Sequence, residues 1–200
     1  MPDIASPFAP ALAGLLARAS VPPRLLRAPG PDRQVLDRAV SAALCAPDHG
    51  GLKPWRFVFI EGVARAALGD VLATSIAARM PETPPARLDL ERGKPLRAPL
   101  VVAAGAALRH DHPGVPAWEQ EASAAAGIMN FMNALDAQGF GACWLSSPAL
   151  RDPAVKFALG FAETDALLGW IYIGTPDPSW QRPVRPAPEG FRRDWVPGTL

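Results

Sequence analysis

The sequence predicts a layered domain of the α/β or α+β class, and three observations predict it. Short apolar runs rich in β-formers alternate with longer stretches whose apolar residues recur at helical spacing. Hydrophobic residues make up 49% of the 200, enough for one sizeable core. One segment, 122–135, is apolar nearly all round, which calls for a helix covered on every side.

Taken in order, ALAGLLARA (11–19) reads as a helix that ends before Pro22-Pro23. Asp32 is placed to cap a second helix, in which Val35, Leu36, Ala39, Val40, Ala43 and Leu44 form one stripe and which Pro47 ends. Trp55 to Ile60 reads as a buried strand, and a helix runs from about Val63 to Arg79. Residues 81–99 hold five prolines and read as a surface excursion with one helical turn or two. Then come a strand near Leu100–Ala106, a long helix near Trp118–Gln138, a strand near Ala142–Ser146, a helix around Asp152–Gly160 and a last strand, Leu168–Ile173. The long helix suits either the core of a monomer or a subunit interface. The tail from Thr175 has six prolines and no period, so it reads as a disordered or PxxP-bearing tail or as an arm. Trp180, Phe191 and Trp195 favour an extended arm lying on a surface, the partner subunit's.

Several classes are disfavoured. A net charge of +1 argues against binding nucleic acid by phosphate neutralisation. The N-terminus lacks the basic start and apolar stretch of a signal peptide, and PLVVAAGAAL is about half as long as a membrane helix, so we expect a soluble cytoplasmic protein away from membranes. Cys45 and Cys143 lie outside any CxxC pattern; a reduced pair is the simplest reading, with a disulfide left open. No GxSxG or GxxxxGK[ST] is present, and the only GxG, at 139–141, precedes a strand instead of following one. His110-Asp111-His112 has no third ligand at a useful spacing, so it reads as a solvated loop with no metal.

Two stretches carry chemistry. CAPDHGGLKPW (45–55) joins a helix to a buried strand. Gly50 and Gly51 there would let a backbone approach a flat ligand, His49 supplies a donor and Lys53 a charge. Read alone, the stretch is more simply a helix cap followed by a turn in which His49 satisfies backbone groups. Near the N-terminus, Arg18-Ala19-Ser20 with Arg24 and Arg27 offers forks and a hydroxyl suited to a phosphate monoester, or simply an exposed basic helix end.

In order along the chain, LLARAS (15–20), APDHGGLKPWRFVFIEG (46–62), RAPLVVA (97–103), PAWEQEASAAAGIMNFMNALDAQGFGACW (116–144) and LLGWIYIGTP (167–176) resemble the nitroreductase family, and within it the small YdjA-like branch. That resemblance implies an α+β three-layer fold, a mostly antiparallel central sheet flanked by helices, over residues 1–175. It also implies an obligate homodimer with an exchanged C-terminal arm, 176–200. FMN would lie at the subunit interface, and hydride would pass from NADH or NADPH to a nitroaromatic, quinone or similar small acceptor. The flavin carries the chemistry, so no side chain is expected to be catalytic. FMN contacts fall on Arg18, Ala19 and Ser20, on His49 from the partner chain, and on Trp144, Leu145 and Ser146. Lys53 is the candidate for the flavin N1/O2 edge, and Ala134, Leu135, Asp136, Ala137, Gln138 and Gly139 would meet the nicotinamide. Where the branch often carries a basic residue this chain has Ala19, Cys45 and Leu145, which predicts looser FMN retention. Those same positions motivate an alternative, a flavin-binding or apo scaffold or sensor without turnover. A third reading keeps the enzyme but assigns reductive dehalogenation or flavin breakdown.

Overall fold

In the computed structural model, which describes residues 9–197, five strands form one sheet and every pairing in it is antiparallel. They are β1 (Leu26–Arg27), β2 (Trp55–Glu61), β3 (Leu100–Ala106), β4 (Gly141–Leu145) and β5 (Ala166–Pro176). The order β1-β5-β3-β2 is joined by β4, which pairs with β5 alone. All seven residues of β3 are buried, as an interior strand covered on both faces requires.

Side-chain alternation divides the core in two. Leu100, Val102 and Ala104 of β3 and Ile171 and Ile173 of β5 pack under α2 (Arg33–Ala43) and α5 (Ala117–Ala137). Val101 and Ala103 with Trp170 and Tyr172 face α3 (Ala64–Arg79) and α6 (Pro153–Ala158). The result is helix, sheet and helix in three layers. In α5, Ile128, Phe131, Met132 and Leu135 are buried, each contributing about 1.5–3 kcal/mol by the usual area relation. Phe131 stacks on Phe57 of β2 with centroids 5.1 Å apart. Gly127 lets α5 approach β2 closely, for a Cβ there would stand 2.5 Å from Trp55 Cδ1.

Asp32 caps α2 as expected, accepting from the Val35 amide at 2.9 Å. Leu44, however, is 53% exposed, outside the buried stripe. The first helix, α1, is Ala9–Ala17. Residues 1–8 and 198–200, on which the leader argument and the ends of the proposed domain and arm fall, lie outside the described residues. The 81–99 excursion is better ordered than its prolines suggested: α4 spans Pro85–Gly93, a 3-10 turn follows over Lys94–Arg97, and Glu91 is buried. Pro85 opens that helix, where its missing N–H removes no helical hydrogen bond.

Candidate functional site

Arg18, Ala19 and Ser20 follow α1 and run beside the open edge of β4. The tie is a hydrogen bond from the Val21 amide to the Ala142 carbonyl, 3.0 Å. That carbonyl therefore faces away from β5, and by strand alternation so do the backbone groups of Trp144. From Ala142 to Ser146 the edge runs about 13 Å, a span that FMN covers from phosphate to ring. Trp144 is fixed by its indole, which donates to the Leu168 carbonyl at 3.2 Å, while Leu145 and Ser146 are exposed beyond it. One chain thus places Arg18–Ser20 and Trp144–Ser146 along one line.

The end of α1 is strongly basic, and two of its contributors come from the arm. Arg185 donates to the Arg18 carbonyl at 2.7 Å, and Arg182 donates to the Ala17 carbonyl. Arg182 also stands 3.5 Å from Asp136, at the end of α5. Partial burial and then the Arg185 charge push the Arg18 guanidinium below its ordinary range; Asp136 offsets this in part and Arg182 adds to it. Three guanidiniums against one carboxylate repel one another, and a dianion among them would relieve that repulsion. Arg27, by contrast, is tied to Asp177 at 3.0 Å.

The 45–55 joint is organised by Asp48. Its carboxylate accepts from the amides of Leu52 (3.1 Å) and Lys53 (2.8 Å), and its carbonyl from that of Gly51 (3.2 Å). Gly50 takes φ 75°, a conformation costly for other residues, and Lys53 itself has φ 53°. Lys53 is exposed, with no side-chain partner among the described residues. His49 Nδ1 lies 2.7 Å from Glu119 Oε2, near the start of α5.

The segment expected to meet the nicotinamide, residues 134–139, closes α5. Gly139 and Phe140 donate to the Asp136 and Leu135 carbonyls, the Gln138 amide donates to Ala134 at 2.9 Å, and Ala137 and Gly139 are exposed. Leu135 is wholly buried in the core, so its side chain is closed to a ligand. Asp136 and Glu119 are seventeen positions apart on one helix, about 25 Å at its normal rise. The histidine and arginine parts of the expected site therefore sit at opposite ends of α5, further apart than one FMN reaches.

The model of the nitroreductase family matches residues 15–175 of the chain. The chain belongs to the nitroreductase family. That family is one of flavin oxidoreductases that use FMN. Over 152 residues the chain is 38% identical to "Putative NAD(P)H nitroreductase YdjA" of Escherichia coli (strain K12), covering 76% of this chain and 81% of that one. Among solved structures it is similar to a nitroreductase-like family protein from Bacillus cereus, with a TM-score of 0.75 at 19% identity, covering 99% of this chain and 100% of the other. A nitroreductase with bound FMN from Bacteroides fragilis NCTC 9343 gives 0.69 at 18%, covering 93% and 98%.

As a nitroreductase this chain has a donor set that fits FMN. The guanidiniums, the Ser20 hydroxyl, which has no partner among the described residues, and the outward Trp144 backbone match a phosphate at one end and a polar ring edge at the other. Among the described residues, no group of three or more His, Cys, Asp and Glu is placed to hold a metal ion, and no helix is long and apolar enough to cross a membrane.

Proposed function

We propose that this nitroreductase binds FMN between two copies of itself and passes hydride from NADH or NADPH to a small acceptor such as a quinone or nitroaromatic. The observation that carries the reading is the division of the site. Arg18–Ser20 and Trp144–Ser146 share one edge of β4, whereas His49 stands about 25 Å along α5, so a second copy is needed to bring it in.

The chemistry that bound FMN would supply is hydride transfer between the nicotinamide and the acceptor. The chain's own residues bind and orient. Arg18, Arg182, Arg185 and Ser20 would hold the phosphate, and the Trp144 backbone would fix the ring edge. His49, steadied by Glu119, would donate from the partner copy. Lys53 would bring positive charge to the pyrimidine edge, where negative charge develops on reduction. The apolar α1 face (Leu12, Leu15 and Leu16, all more than half exposed) and the arm residues Phe191 (79%) and Trp195 (85%) would be covered in the dimer, the arm crossing onto the partner.

The test is a visible spectrum of purified protein, with the released flavin identified, followed by NADH and NADPH oxidation with menadione under added FMN. Bound FMN reduced by either nicotinamide is expected. A colourless protein that neither takes up FMN nor oxidises either nucleotide would contradict the proposal. Ala19 and Leu145, which bring no charge to the site, favour the non-catalytic scaffold as second reading; yellow protein that neither nucleotide reduces would select it.

A further inference from the structure

A second cleft, of about 400 Å³, opens on the α3 face of the sheet, on the opposite side from α5. Leu72 and Ile76 of α3 and the Trp170 indole of β5 give it apolar walls. The indole is held in place by donating to the Ser147 hydroxyl at 3.0 Å. At the floor lies Tyr172, the only tyrosine of the chain and just 5% exposed. Its hydroxyl has no hydrogen-bond partner among the described residues, yet it is not sealed off from solvent, so it opens into the cleft. A buried hydroxyl without a partner is costly unless something completes it.

The rim is basic. Arg87 and Lys94 share the buried Glu91, at 3.1 and 2.5 Å, and Arg79 pairs with Asp152 at 3.1 Å. Arg97 is exposed, near enough to Tyr172 to act on its ionisation, and has no carboxylate partner among the described residues. Four basic side chains against two carboxylates leave two positive charges in excess. Burial raises the Tyr172 phenol above its ordinary range, with Arg97 opposing in part, so the hydroxyl remains a donor at neutral pH.

We propose that this cleft binds a flat organic anion, an aromatic carboxylate or sulfonate, with its charged oxygens between Tyr172 and Arg97 and its ring against Trp170. The volume suits a small aromatic molecule, apolar walls take the ring, and the Tyr172 hydroxyl and the Arg97 guanidinium offer donors close enough to act together, while the Thr83 hydroxyl, also without a partner among the described residues, lines the same cleft. Arginine and a phenol are geometrically suited to an oxyanion, and a neutral ligand of the same shape leaves both charge and hydroxyl unanswered. Leu145 and Ser146 line this cleft and also belong to the proposed flavin edge. That the anion is the hydride acceptor therefore rests on the flavin reading, whereas its binding does not.

Calorimetric titration of FMN-saturated protein with 4-nitrobenzoate and its neutral isostere 4-nitrobenzamide tests the cleft. The benzoate is expected to bind at least about ten-fold more tightly, and Tyr172→Phe and Arg97→Met should each erase most of that preference. Arg97 is on the exposed rim, so its variant decides the matter even if the Tyr172 replacement disturbs the core. Equal affinity for the two probes, or a preference that survives Arg97→Met, would overturn the proposal. Menadione reduction by the unaltered protein is measured alongside: its absence would sink the flavin reading and leave an anion preference standing.

Discussion

Asp152 joins α3 to α6 through one carboxylate. It caps α6 by accepting from the Ala154 amide at 2.9 Å, takes a hydrogen bond from the Ser75 hydroxyl of α3, and stands 3.1 Å from Arg79. Burial pushes this acid up, but hydrogen bonds from Ser75 and from the Ala154 and Val155 amides, with the Arg79 charge, outweigh it and hold the group below the usual carboxylate range. A carboxyl depressed in the folded state stabilises it above the unfolded value, about 3.9, and loses that contribution as pH falls through the lower folded one. Asp152→Asn should therefore lower stability near neutrality and flatten its fall below about pH 4, read from urea midpoints across pH. A steep acid limb retained in the variant would show that other carboxylates set it. At the proposed phosphate site, Arg185→Ala should weaken FMN by about 1 kcal/mol, roughly five-fold, a modest value because the group is exposed. Fluorescence titration of FMN measures it, and an unchanged affinity would remove the arm from the site. Lys53→Met should lower the reduction potential of bound FMN, measured by reductive titration; an unchanged potential would take Lys53 away from the flavin edge.

Among elements, α5 tests close packing most sharply. Helix propensity alone makes Gly127→Ala stabilising by about 1 kcal/mol. The added methyl would instead meet the Trp55 ring at 2.5 Å and the Ala43 carbonyl at 3.1 Å, where the indole already donates to the Ser123 carbonyl. We predict a net loss of about 1–3 kcal/mol by chemical denaturation; a gain would mean the contact relaxes freely. This helix was legible in the sequence because its apolar run is long and uninterrupted, and α2 because Asp32 and its stripe agree. The two-residue β1 left no periodic trace, and α4 was obscured by prolines that stand at its start. The site was legible only in part. His49 and the loop around it stand in one contiguous stretch. Its partner Glu119 is seventy positions away, and Arg182 and Arg185 reach α1 from more than 160 positions away. Tyr172 reads as an ordinary strand residue until α3 and α4 close a cleft over it. Contacts made only by tertiary folding leave no local pattern to read.

For the molecule as a whole, the leucines of α1 and the arm residues Phe191 and Trp195 are large apolar side chains exposed to water. Two chains related by a twofold axis would cover them, and antiparallel α5 helices would carry the His49 of each copy toward the Arg18 of the other. Sharing of the site is the central claim, and mixed dimers test it most directly. Arg18→Ala and His49→Ala chains, each with its own tag, are co-expressed, and FMN content is measured in the purified heterodimer and in each parent. If each flavin is held by residues of both copies, the heterodimer keeps one intact site and should retain about one FMN where both parents lose it. A heterodimer as poor in FMN as its parents would place the site within a single chain and contradict the account.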